Sequence, residues 1–463
     1  MSTLFRDAVR RLDQAGRLVK VARPVSQHQE LAGILRRFDG DKAFLFESVS
    51  GSDLTVVGNL LASPLNVQAA LAADPWAIRR MMIAGLEKPI PPEMVADPPA
   101  QQEVVSEPFE LGTLLPVLAH APGDGGRFIT AGVVIVRDPE TGVHNASYHR
   151  LQLLGGNRTA IKLDIGRHLR AAHDRARQLG RALPISVCLG TDLALMYAAA
   201  LMGSQMPETA DELSAAGGIK GAPLAVAPAL TQDILVAAES EIVLEGEISP
   251  TETVHEGPFA EFVGYHSDEG PAPVVTFTAV THRPEPLYYA INGAGRETVM
   301  LRKYTLEASA LKAVQAAVPI VTDVEMTAGG LHRFHIIIQV NKTKPQHEGL
   351  QRNAMLAAFA ALKDLDMVIV VDDDIDLRDP TDVEYALATR FEASRDMVVI
   401  PGARGHEYVR VSAGGIRTKL GLDATVVASE RDRFRRAPFA AVQLEDVDTR
   451  TEPGSSGLPW LSE

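Results

Sequence analysis

The stretch DGGRFITAGVVIVRDPETGVHNASYHR, Asp124 to Arg150, decides how this chain is read. Its middle, AGVVIVRD, is a short run rich in Val and Ile, closed by Pro and Gly, the sequence signature of a strand and its turn. The same signature recurs downstream. IKLDI, PISVCLG, EIVLEGEI, PVVTFTAVTHR and PLYYAI are β-like runs separated by Gly and Pro, from about residue 110 to about 290. HLRAAHDRARQLG interrupts them as a helix. This middle part is therefore β-rich and of the α+β type.

Upstream, residues 3–16 form an expected amphipathic helix, with Leu4, Phe5, Val9 and Leu12 near helical spacing and Gly16 to end it. DKAFLFESV and DLTVVGNLL read as short strands, ADPWAIRRMMIAGLEK as a helix, and the proline-rich Lys88–Ala100 stretch as a linker. Downstream, TLEASALKAVQAAV is a helix that connects onward. FHIIIQV, LQRNAMLAAFAALKD and MVIVV then alternate strand and helix, which suggests a parallel α/β domain. There is no internal repeat, and the polar tail after about Glu445 is expected to fray.

The bulk numbers exclude several classes. A chain of 463 residues is long for one core, and 46% hydrophobic with 22% charged residues is a globular composition. A net charge of −14 argues against nucleic acid or an anionic membrane as partner, since both reward basic surfaces. Cys188 is the only cysteine, so neither an internal disulfide nor a thiolate cluster can form, as befits a reducing compartment. The first residues carry scattered charge and no apolar core, unlike a secretory signal. The longest apolar run, Leu193 to Met202, is about half of the roughly 20 residues that span a bilayer. A soluble, cytoplasmic protein is expected.

Four motifs carry residues suited to chemistry. The opening stretch holds Asn145 and, after four residues, Arg150. MPETADELSAAGGIKGAPLAV holds Glu212, EGPFAEFVGY holds Glu256 and Glu261, and VDDDIDLRDPTDVEYALATR follows near the end. In this order, over residues from about 110 to about 425, they resemble the UbiD family of decarboxylases. The resemblance implies a UbiD-like α/β (α+β) fold: an N-terminal α/β region (1–108), a central flavin-binding split β-barrel domain (109–298), a connecting helix (299–318) and a C-terminal α/β oligomerisation domain (319–463). It implies reversible non-oxidative decarboxylation of an aromatic, heteroaromatic or α,β-unsaturated carboxylic acid with prenylated FMN.

That chemistry is coherent. Loss of CO2 from an sp2 carbon leaves a carbanion that no side chain can delocalise, so a cofactor must act as electron sink. By resemblance, Asn145, His168 and Glu212 ligate a divalent ion, usually manganese, that ties the flavin phosphate to the protein. An amide oxygen, an imidazole and a carboxylate suit such an ion. Thr130, Ser147, Arg150, Arg167 and Met206 would line the cofactor, Ser204 and Met206 matching a loop that holds potassium. Arg167 stands where the ferulic acid decarboxylases have Gln. Lys363 is the nearest match to the family's phosphate-contacting lysine.

Arg150, Glu256 and Glu261 would form the catalytic set: Arg150 draws the substrate carboxylate, Glu256 fixes its guanidinium, and Glu261 returns a proton to carbon. Leu306, Met397 and Val399 would line the substrate pocket. The family also implies a UbiX-type prenyltransferase as cofactor supplier and a homodimer or larger homo-oligomer.

Each residue has a plainer reading. Arg150 could pair with a surface acid, His168 could be a solvated helix residue like His173, and Glu212 an ordinary helix acid. Glu256 and Glu261 are five apart, on opposite faces of a strand, unless Gly257–Pro258 turns the chain. Asn292–Arg296 begins like a dinucleotide loop but lacks the third glycine, and reads as a turn. Asp372, Asp373, Asp374 and Asp376 follow an apolar strand and either cap it or bind Mg2+. The rival functions are a non-catalytic flavin-binding accessory protein and a metal-dependent phosphoryl-transfer enzyme.

Overall fold

The computed structural model describes residues 2–164, 166–201, 206–207, 209–411 and 413–440. The helix Phe5–Gln14 buries Phe5, Ala8, Val9 and Leu12 on one stripe, and Gly16 ends it at φ 64°. It packs against a four-stranded sheet in the order Leu18–Val21, Ala43–Phe46, Thr55–Gly58, Leu287–Ala290. The last strand returns from far along the chain and pairs parallel with Thr55–Gly58. The helix Pro75–Glu87 starts at Asp74, whose carboxylate accepts the Ala77 N–H.

The middle of the chain is a nine-stranded half-barrel. Its main path runs His144–Tyr148, Val133–Arg137, Leu183–Leu189, Ile242–Glu256, Gly270–His282, Arg158–Ile161, Leu151–Gly155, Phe128–Ile129. Neighbouring strands are antiparallel throughout. Val133–Val136 are all buried because helices or loops cover both faces, so this strand reads as a continuous apolar run. The helix His168–Gln178 lies against it.

The 22-residue helix Arg296–Ala317 leads out of this half. It is buried on several sides, with Val299, Tyr304, Leu306, Leu311 and Val314 all enclosed, since the two halves of the molecule flank it. The C-terminal sheet runs Val321–Met326, His335–Val340, Met367–Asp372, Ile416–Ala424, Met397–Arg404. It is mixed where the sequence suggested a parallel sheet: the two outer pairings are antiparallel and the two inner ones parallel. The reason is connection length. No crossover helix separates Val321–Met326 from His335–Val340, so the second strand folds straight back.

No helix among the described residues is long and apolar enough to cross a membrane. The tail after residue 440 and Ser204 lie outside the described residues.

Candidate active site

Arg150 stands between the strands His144–Tyr148 and Leu151–Gly155, with its side chain buried. Its Nε donates to Glu256 Oε1 at 2.7 Å and its Nη2 to Glu256 Oε2 at 2.9 Å, a bidentate fork that fixes the guanidinium plane. Nη1 donates to Glu261, and Nη2 also reaches Ser267 Oγ at 3.0 Å. The Phe259 ring centroid lies 5.2 Å from the guanidinium carbon.

The two glutamates meet one arginine because the chain turns where expected. Glu256 ends its long strand, and Gly257 follows at φ 96°, a left-handed conformation that favours glycine. Two side chains that the sequence reading missed hold this turn. Gln152 accepts the Gly257 N–H at 2.9 Å and donates to Gly125 O at 2.8 Å, while Asp124 accepts the Ala260 N–H at 2.9 Å. A Cβ on Gly125 would sit 2.0 Å from the Gly257 carbonyl oxygen. The DGG of the opening stretch is thus the seat of the EGPF turn, and the two motifs form one site.

Burial raises the Glu261 carboxyl above its usual range even though Arg150 pulls it down, and nearby Asp164 adds to the rise. Burial also works against the charge of Arg150, but the hydrogen bonds and charge of Glu256 outweigh it and the guanidinium is held charged. The result is a fixed cation beside a carboxyl that keeps its proton to higher pH than an exposed glutamate.

Asn145, His168 and Glu212 also converge. Asn145 Nδ2 donates to Glu212 Oε1 at 3.1 Å, the Ala146 N–H to Glu212 Oε2 at 3.2 Å, and His168 Nδ1 lies 3.8 Å from Glu212 Oε1. Asn145 and His168 line one small cavity together with Asp138, His144 and Arg175. Among the described residues no three His, Cys, Asp or Glu side chains converge as a metal site. Here an amide joins one imidazole and one carboxylate, a donor set that fits a hard or borderline divalent ion. Ser147 Oγ donates to Asn145 Oδ1 at 3.1 Å and lies 3.1 Å from His149 Nε2. A polar chain therefore runs from Glu212 to the residue next to Arg150.

The remaining expected residues divide. Thr130 is partly buried in the loop before Val133–Arg137, Arg167 is the N-cap residue of the His168 helix, and Met206 is buried. Lys363 is exposed in a turn, where its carbonyl accepts Lys419 Nζ at 2.8 Å. Leu306, Met397 and Val399, expected to line the substrate pocket, are not gathered at Arg150. Leu306 packs in the core beneath the C-terminal sheet. Met397 and Val399 are 45% and 51% exposed on the edge strand, whose two-residue period turns both outward.

The wall beside Glu261 is different: the Phe262 ring packs on Phe334 (6.2 Å), His406 (5.6 Å) and Tyr408 (6.2 Å), and Tyr408 OH donates to Asp164 Oδ1 at 3.0 Å. Burial pushes His406 down to about 3, so its ring is neutral. The sequence signal for this wall was PGARGHEYVR, a glycine-bounded stretch carrying His and Tyr between two strands.

The aspartate run is structural. Arg390 pairs with Asp372 and Asp374, Arg431 with Asp373, and Asp376 accepts the Arg378 N–H at 2.9 Å, which leaves the phosphoryl-transfer reading without a metal site there.

Comparison with known proteins agrees with this geometry. Models of the 3-octaprenyl-4-hydroxybenzoate carboxy-lyase family match as its N-terminal domain over residues 9–84, its Rift-related domain over 93–296 and its C-terminal domain over 299–424. The chain is 36% identical over 436 residues to the anhydromevalonate phosphate decarboxylase of Methanosarcina mazei, covering 94% of this chain and 98% of that one. It is 32% identical over 426 residues to the gallate decarboxylase of Lactiplantibacillus plantarum, covering 86% and 87%. Its fold is similar to that of the UbiD-class enzyme HmfF from Pelotomaculum thermopropionicum in complex with FMN, with a TM-score of 0.90, 35% identity, and 96% and 98% of the two chains covered. An evolved dimeric form of HmfF in complex with prFMN gives a TM-score of 0.87 at 34% identity, covering 96% and 100%. Fold and site define a carboxy-lyase, a decarboxylase of the flavin-dependent class. The chain belongs to the UbiD family.

Proposed function

We propose that this enzyme performs reversible non-oxidative decarboxylation of an aromatic, heteroaromatic or α,β-unsaturated acid, with Arg150, Glu256 and Glu261 as its catalytic residues. The observation that carries the reading is one guanidinium forked onto a fully buried Glu256 and touching a second glutamate whose pKa burial raises. Glu256 sets the plane of the cation. When Glu261 is protonated its hold on Nη1 weakens, and that N–H becomes available to the substrate carboxylate. After CO2 departs, Glu261 delivers its proton to the carbon, and in the reverse direction it removes it.

Prenylated FMN, when bound, supplies the electron sink that the side chains lack. Asn145, His168 and Glu212 would hold a divalent ion such as Mn2+ against its phosphate, and Thr130, Ser147, Arg167 and Met206 would line it. Potassium beside Met206, a UbiX-type prenyltransferase as supplier, a homodimer or larger assembly, a cytoplasmic setting and the four-part division at 108, 298 and 318 belong to the same reading. The relatives' names, an anhydromevalonate phosphate decarboxylase and a gallate decarboxylase, support an acid carrying further polar groups.

The test is expression together with a flavin prenyltransferase, followed by an absorbance spectrum and a screen of cinnamates and of indole, pyrrole, furan and phenazine carboxylates for CO2 release. A modified-flavin spectrum with release from at least one acid is expected. A protein that binds the flavin and releases CO2 from none would return the accessory-protein reading.

A further inference from the structure

The N–H groups of the Arg150 guanidinium lie in one fixed plane, and each can be followed to its acceptor. The Nε N–H and one Nη2 N–H fork onto Glu256, at 2.7 and 2.9 Å. The second Nη2 N–H goes to Ser267 Oγ at 3.0 Å. Nη1 meets only Glu261 among the described residues.

This distribution restricts how a further carboxylate can dock. A carboxylate forks either onto Nε and the neighbouring Nη or onto the two Nη atoms together. Glu256 fills the first fork, and Ser267 takes the Nη2 half of the second. The surroundings of Nη2 agree. It faces the turn after Glu256, where a Cβ on Gly257 would stand 3.8 Å from it and 3.4 Å from the Asp268 carbonyl oxygen.

The backbone holds Ser267 in that place. Its N–H donates to Phe259 O at 2.8 Å and its Oγ accepts the Phe259 N–H at 3.2 Å, so the loop closes on itself. Within the loop the Glu261 N–H donates to Tyr265 O at 2.9 Å, and the Gly264 N–H to Glu261 O at 2.8 Å. One closed loop therefore presents Ser267 to Nη2 and Glu261 to Nη1. Glu261 loosens its hold on Nη1 by taking up a proton. A serine hydroxyl has no such switch and keeps Nη2 occupied.

We infer that Ser267 is a positioning residue that confines the substrate carboxylate to a single contact, at Nη1. The inference rests on the decarboxylase reading for the identity of that carboxylate. Its reason lies in the reaction. As the C–C bond breaks, its electron pair stays on the remaining carbon and the carboxylate leaves as neutral CO2. A fork from Arg150 would grip the charged ground state more strongly than the transition state, and such binding slows the chemical step. A one-point contact orients the acid and weakens as the charge departs. Ser267 acts through Arg150 rather than on the reacting atoms.

Holoenzyme is prepared as wild type, Ser267→Ala and Ser267→Thr. Equilibrium binding of benzoate and of neutral benzamide is measured, with kcat and KM for whichever cinnamate or heteroaromatic carboxylate releases CO2 fastest. Ser267→Ala frees an N–H for a charge-assisted bond, so benzoate should bind about tenfold tighter while benzamide is unchanged. KM and kcat for the acid should fall by a similar factor, leaving kcat/KM within about twofold of wild type. Ser267→Thr keeps the hydroxyl and should return binding and kcat toward wild type. A merely structural serine gives the opposite sign, because a loosened loop weakens benzoate and raises KM. That result would overturn the inference, as would benzoate binding that is unchanged or absent in all three proteins. Tighter benzoate with an unchanged kcat would overturn it too. Failure of the decarboxylase reading looks different: no acid releases CO2, while benzoate still binds more tightly to Ser267→Ala, which upholds the contact and sinks that reading alone.

Discussion

Arg150 and Arg390 are buried arginines that each hold two carboxylates, and the sequence flagged both neighbourhoods. Arg390 ends the helix Pro380–Arg390 and gives Nη1 to Asp372 Oδ2 (3.0 Å) and Asp374 Oδ1 (2.8 Å) and Nη2 to Asp374 Oδ2 (2.6 Å). Asp372 also accepts the Val426 N–H at 2.9 Å, and Asp373 and Asp382 have Arg431 and Arg436. Every charge in that cluster meets its opposite. Around Arg150 the pairs are as well made, yet burial keeps the Glu261 carboxyl raised against the pull of Arg150, whereas the Arg390 hydrogen bond holds Asp374 low. A pairing that lowers a carboxyl holds a fold together; a carboxyl that burial raises beside a fixed cation marks a place for chemistry.

Matched substitutions turn this contrast into measurements. Arg150→Ala should lower turnover by on the order of 10³-fold or more, the scale for losing a group that stabilises charge in the transition state. It should also lower stability by about 3–5 kcal/mol, because Glu256 is left buried and unpaired. Steady-state rates and chemical denaturation report the two effects separately. His168→Ala and Glu212→Ala should lose divalent metal and flavin together, read by metal analysis and the absorbance spectrum; a variant that keeps both has no part in anchoring.

Arg390→Ala should match Arg150→Ala in stability, again losing about 3–5 kcal/mol, while the folded fraction turns over within about twofold of wild type. A folded but inactive Arg390→Ala would break the contrast.

The smallest effect is in pH. Glu261 has a raised pKa, so its stabilising contribution is present below the ordinary value of 4.5 and is lost as pH rises through the folded value. Asp374 has a lowered pKa, chiefly through its hydrogen bond from Arg390, so its contribution is present above 3.8 and is lost as pH falls through the folded value. Melting temperatures of Glu261→Gln and Asp374→Asn across pH should diverge from wild type in opposite directions.

Much of this was legible in the sequence because short patterns fix short structures. Gly16 ends the first helix as read, the stretch read as ADPWAIRRMMIAGLEK is helical from Pro75 to Glu87, and the chain turns at Gly257, as the meeting of Glu256 and Glu261 required. Arg150, Glu256 and Glu261 do meet, and so do Asn145, His168 and Glu212. What failed depended on tertiary packing. Leu306 and Val399 carry the right apolar character for a pocket, but the connecting helix turns one into a core and the edge strand turns the other to solvent. Gln152 and Asp124 carry no local signal. Their roles arise from groups brought together over more than a hundred residues, Asp124 on Ala260 and Gln152 on Gly257.

The central claim is that Glu261 moves the proton. Holoenzyme with its decarboxylated product in D2O should exchange the ring or vinylic hydrogen, since exchange is the same transfer run backwards. Glu261→Gln keeps the side chain's shape and should keep the flavin, while exchange and decarboxylation fall in parallel by about 10²–10⁴-fold. Exchange at the wild-type rate in Glu261→Gln would contradict the account.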